Sequence, residues 1–106
     1  MGRKCVSTYS KVLYVAESSL GFHKVGISQN PPKRAAQLSV PNILDLRIVH
    51  TVPVMFAHKS EKLVHRALED YRVSPEWFRL PEDVIRALCE CRGERDLLEF
   101  CGVIVG

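Results

Sequence analysis

Two short stretches near the amino end constrain this chain most. Lys11-Val12-Leu13-Tyr14-Val15-Ala16 and Phe22-His23-Lys24-Val25-Gly26-Ile27-Ser28 are apolar and partly β-branched, and Glu17-Ser18-Ser19-Leu20-Gly21 joins them. Serine and glycine are the residue types that tight backbone turns favour, so the pattern predicts two antiparallel strands in a hairpin. If the two strands pair, the side chains of Tyr14 and Lys24 can share one sheet face. The sequence leaves their register open.

Beyond the hairpin, Asn30 stands before Pro31 and Pro32. Asparagine caps orphan amides and proline suits a first helical position, so a short helix is expected from Pro31. It should stop before Pro41, because a residue preceding proline is pushed out of the helical region. Leu44, Leu46 and Ile48 alternate with Asp45, Arg47 and Val49, which predicts a third strand ending at Pro53.

From Ala57 to Tyr71 the apolar positions Leu63, Val64, Ala67, Leu68 and Tyr71 recur at helical spacing, leaving Lys59, Lys62, Arg66 and Asp70 to face water. Glu76-Trp77-Phe78-Arg79-Leu80 reads as a short strand with its aromatics in the core. Pro81, Glu82 and Asp83 then open a helix whose first turn suits the positive end of the dipole, with Gly93 as its breaker. Glu94 to Cys101 is expected to add a short helical turn, and Val103-Ile104-Val105 to be a tail strand or a frayed end.

The 106 residues amount to one domain, spanning 1–106. Hydrophobic residues at 46% and charged residues at 25% match an ordered globular chain. No apolar run is long enough to cross a bilayer and no signal-peptide core follows Met1, so a cytoplasmic protein without a membrane partner is expected. The net charge of +3 leans towards a nucleic-acid partner without deciding it. Cys5, Cys89, Cys91 and Cys101 lack a disulfide framework and are read as reduced thiols. Zinc is disfavoured, because one residue separates Cys89 from Cys91 where paired zinc ligands usually need two or more.

Val12-Leu13-Tyr14, Lys24-Val25-Gly26-Ile27-Ser28, Arg34, the pair Glu61 and His65, and Glu76-Trp77-Phe78 follow one another in an order that resembles the GIY-YIG nuclease superfamily. The likeness is to its phage and bacterial branch, in which lysine replaces tyrosine in the second motif, and it spans roughly Val12 to Leu80. Val12 departs from the usual glycine, and Leu38 stands where some relatives place a histidine. The resemblance implies a small α/β domain of GIY-YIG type, a three-stranded antiparallel sheet bearing Tyr14 and Lys24 and flanked by helices. It further implies a divalent-metal-dependent endonuclease, with Tyr14, Lys24, Arg34 and His65 catalytic and Glu61 holding Mg²⁺ or Mn²⁺.

Chemistry gives each residue type a reason. A phosphodiester repels nucleophiles and has a poor leaving group, so its hydrolysis needs a base, cations and a metal. A free phenol titrates near pH 10, so Tyr14 becomes a base when a cation such as Lys24 favours its phenolate. Arg34 can hold a phosphate oxygen through two hydrogen bonds near a helix start. Glu61 suffices for Mg²⁺, which is typically held by one or two carboxylates with water and phosphate completing its shell. Each residue also has a plainer reading: Tyr14 in a strand core, a snorkelling Lys24, a solvated Arg34 and a surface Glu61. For His65 the choices are orienting Glu61, touching phosphate, or packing.

Trp77 and Phe78 are read as core, Glu76 as a supporting group, Ser28 as a cap, and His23, His50 and His58 as surface residues. The expected partner is nucleic acid, DNA ahead of RNA, with a homodimer as a further option. The alternative is a catalytically inactive nucleic-acid-binding or regulatory module on the same fold.

Overall fold

The computed structural model describes residues 11–38, 45–75 and 77–105. Val12–Ser18 (β1) and His23–Ser28 (β2) pair antiparallel, with Tyr14 opposite Gly26 and Ala16 opposite Lys24. The turn between them is fixed by its serine: Ser18 Oγ accepts from the backbone N–H of Leu20 at 3.2 Å and of Phe22 at 3.0 Å. Gly21 takes φ +88°, a left-handed conformation open to glycine at little cost.

The helix Pro31–Leu38 (α1) starts where the sequence places it. Asn30 Oδ1 accepts from Lys33 N–H at 3.2 Å and caps the helix as expected, whereas Ser28 Oγ accepts from Asn30 N–H at 3.0 Å, a turn ahead of the helix in place of the expected cap on it. Leu46–Pro53 (β3) pairs with the free side of β1. Leu44, expected in that strand, lies outside the described residues.

The sheet has five strands, not three, in the order β3-β1-β2-β5-β4. The added pair is Arg72–Ser74 (β4) and Trp77–Phe78 (β5), joined to β2 by His23 opposite Phe78. β5 falls within the short strand expected from Glu76 to Leu80, whereas the three residues of β4 are too few to display a period of two, and the joining of both to the hairpin is set by contacts distant in the chain.

Ala57–Ala67 (α2) is followed by a 3-10 turn at Glu69–Tyr71, then come Glu82–Cys89 (α3) and Glu94–Val105 (α4). Val103 and Ile104 therefore continue a twelve-residue helix instead of forming a tail strand or frayed end. Leu97 and Phe100 enter the core, and Ile104 packs against it from the last turn, so the helix extends as far as it has something to cover. No helix among the described residues is long and apolar enough to cross a membrane.

The sheet divides two cores. Leu13, Val15, Val25 and Val52 meet Val64 of α2 and Leu68 just past its end, Val84 and Leu88 of α3, and Leu97 and Phe100 of α4. On the opposite face Tyr14 and Ala16 meet Ala35 of α1 and Leu46, with Trp77 and Leu38 packed at the margin.

His23, expected at the surface, is 3% exposed. Its Nδ1 accepts from the backbone N–H of Leu80 at 3.2 Å, so the proton lies on Nε2, which faces Glu17 Oε2 at 3.3 Å. Glu17 in turn meets Arg47 of β3 at 3.3 Å. Burial lowers the His23 pKa and outweighs the raising effect of Glu17. The fold thus favours neutral His23, and the unfolded chain binds more protons as pH falls below the ordinary histidine value of about 6.5. Stability from this group is full above that value and declines below it towards the lowered folded pKa. In urea unfolding, His23→Gln should flatten the decline in stability between about pH 7 and 5 relative to wild type.

Candidate functional site

The hairpin register settles which residues share a face. Tyr14 and Lys24 stand diagonally across β1 and β2, on the order of 7 Å apart at Cβ for such positions. Both belong to the α1 side of the sheet. Tyr14 is 1% exposed and Lys24 9%. The Lys24 ammonium lies 6.0 Å from the centre of the Trp77 ring, a separation at which the negative ring face attracts a cation.

Gly26 has a specific steric role there. A Cβ at this position would fall 2.7 Å from Tyr14 Oη and 2.9 Å from Tyr14 Cζ, so the phenol lies in the space that only glycine leaves. The absence of one side chain across the strand pair therefore fixes where the hydroxyl goes. The sequence offered a signal, a glycine amid β-branched residues, but its meaning needed the register.

Arg34 is exposed on α1 beside Ala35, which packs onto the Tyr14 cluster, and its backbone N–H closes the first helical turn on the Asn30 carbonyl at 3.0 Å. Its guanidinium is thus carried by the helix that covers Tyr14. Arg79 is engaged differently, lying 4.5 Å over the Phe22 ring.

Glu61 and His65 lie on α2, behind the other face of the sheet, one turn apart and both half-buried. His65 links the layers. Its Nε2–H donates to the Val25 carbonyl at 2.7 Å, and its ring meets Phe78 at 5.4 Å between centroids. Val25 sits between Lys24 and Gly26, so the bond anchors the Glu61-bearing helix to the segment that shapes the Tyr14 face. The described structure thus places Tyr14 and Lys24 together, carries Arg34 on their covering helix, and brings Glu61 and His65 from behind against β2.

Among the described residues no group of three or more His, Cys, Asp or Glu is arranged to cage a metal ion. The donor chemistry here is one half-buried carboxylate, which fits a hard ion that keeps most of its waters and takes further oxygens from a phosphate. Mg²⁺ or Mn²⁺ suits that set.

The other candidates fall elsewhere. His50 is half-buried, not at the surface, and its Nε2–H donates to the Cys91 carbonyl at 2.7 Å, while His58 is exposed. Cys91 is buried, and desolvation, followed by the nearby Asp96 carboxylate, pushes its thiol up to about 11. It is therefore a neutral thiol at physiological pH. Phe78 is wholly buried as expected, whereas Trp77 is only partly so and borders the Lys24 ammonium. Glu76 lies outside the described residues.

Two variants test this geometry by chemical unfolding. Gly26→Ala should cost about 1–3 kcal/mol through overpacking against the Tyr14 ring, with part of that cost recovered in a Tyr14→Phe background. His65→Ala should cost about 1–3 kcal/mol by leaving the Val25 carbonyl without its donor.

No curated protein and no solved structure matches the chain. A family model described as the T5orf172 domain matches residues 7–92, most of the chain and every element from β1 to α3. The chain belongs to the T5orf172 domain family.

Proposed function

We propose that this protein is a divalent-metal-dependent endonuclease of GIY-YIG type that hydrolyses phosphodiester bonds in nucleic acid. The observation that carries the reading is the shared face of Tyr14 and Lys24, with Gly26 seating the phenol and Arg34 on the covering helix. Membership of a family found in phage and bacterial nuclease-like proteins supports it.

In this reading the Lys24 ammonium favours the phenolate of Tyr14, which takes the proton of the attacking water. The exposed Arg34 guanidinium binds non-bridging phosphate oxygens and offsets the charge that builds on them. Glu61 holds the metal, and His65 keeps α2 against β2. When bound, Mg²⁺ or Mn²⁺ supplies positive charge that neutralises the leaving oxygen. Tyr14 is 1% exposed, so this reading requires the attacking water to reach a buried phenol.

That burial favours a second reading, a catalytically silent nucleic-acid-binding module in which Tyr14 is a core residue. One assay separates the two. Purified protein is incubated with labelled single- and double-stranded DNA and RNA, with and without Mg²⁺ or Mn²⁺. A nuclease cleaves only with metal, DNA ahead of RNA, and Tyr14→Phe, Arg34→Ala and Glu61→Ala each lose about 10²-fold or more in rate while circular dichroism stays native. Salt-sensitive retention without cleavage in either metal decides for the silent module.

A further inference from the structure

We infer that the outward stripe of α2, His58, Lys62 and Arg66, is a docking track for a nucleic-acid backbone. The inference rests on the nucleic-acid partner proposed above and specifies the surface that meets it. The three residues recur every four positions on one helix, spanning about 12 Å at 1.5 Å per residue. All three are exposed. Among the described residues none has a carboxylate within ion-pair distance, whereas Arg47, Arg72 and Arg86 are each paired with a glutamate.

Their place around the helix matters. Turning from the buried Val64 by 100° per residue, Glu61 and His65 come first, on the side where His65 meets β2, and His58, Lys62 and Arg66 follow. Lys59 and Leu63 lie beyond, lining the groove against α4. The stripe is therefore the next surface outward from the candidate metal carboxylate. A backbone held there runs beside Glu61 and the β2 edge, instead of across the far side of the molecule.

The distribution of charge disfavours the other flank. Residues 82–105 carry six acidic side chains against three arginines, so the positive excess of the chain lies away from α3 and α4. An acidic flank repels a polyanion while an unpaired basic stripe attracts it, which orients the approach. Phosphate contacts of this kind position a backbone and read no sequence.

The test measures fluorescence anisotropy of labelled duplex DNA with the full chain in EDTA, from about 50 to 200 mM salt, together with cleavage in Mg²⁺. The double variant Lys62→Glu/Arg66→Glu should weaken binding about tenfold or more and reduce the slope of log K against log salt by about 2. The charge-matched Arg92→Glu/Arg95→Glu, at the start of α4 and outside the stripe, should stay within about threefold of wild type. Cleavage by the α2 variant at saturating DNA should keep its kcat.

Equal weakening in both double variants, or unchanged affinity and slope in the α2 variant, overturns the inference and leaves the nuclease reading intact. Stripe-dependent binding without cleavage supports the track and overturns the nuclease. No DNA binding by wild type overturns the track whatever the cleavage result.

Discussion

β1 is buried on both faces. Leu13 and Val15 face one core, Tyr14 and Ala16 the other, and every one of the four is almost fully shielded from water. A strand in that position needs hydrogen-bonded neighbours on both edges and an apolar layer on both sides, because its backbone amides and carbonyls have no recourse to solvent. β2 and β3 provide the edges, α1 one layer, and α2, α3 and α4 the other. The sheet order, the unequal helical layers and the presence of a tyrosine deep beside α1 all trace to that requirement.

Two opposed uses of β1 follow from its burial. The side facing α2 to α4 is apolar and packs as an ordinary core. The side facing α1 mixes a phenol with a neighbouring ammonium, an indole and a missing side chain at Gly26. Polar groups of this kind cost free energy in a closed environment unless they are satisfied. A site built there combines a fixed arrangement of groups with restricted access, the combination in which electrostatic interactions are strongest.

Much of this was legible in the sequence where chemistry and periodicity agree. The hairpin turn follows from Ser18 and Gly21, α1 from Asn30 and Pro31, and α2 from the spacing of Val64, Ala67 and Leu68. Elements set by contacts were not. The strand at Trp77–Phe78 was anticipated, but its place in the sheet was not, β4 is too short to show a period, and α4 extends through residues that look strand-like because Leu97 and Phe100 anchor it. His23 and His50 have no sequence partner that reveals burial, since each is satisfied by a backbone group distant in the chain, at Leu80 and Cys91. The pairing of Tyr14 with Gly26 likewise required a register that residue types alone leave free.

β3 contains one residue more than its partner needs: Val15 stands opposite His50 and Ala16 opposite Ile48, leaving Val49 between them. Before this bulge, Leu46 and Ile48 serve the Tyr14 side; after it, His50 and Val52 serve the larger core. A single inserted residue thus changes the frame in which the strand's alternation is read. The sidedness of the whole domain is consequently encoded as a count. A chain of the same fold that lacked one residue there would have to exchange its inward and outward side chains along half the strand to keep both faces dry.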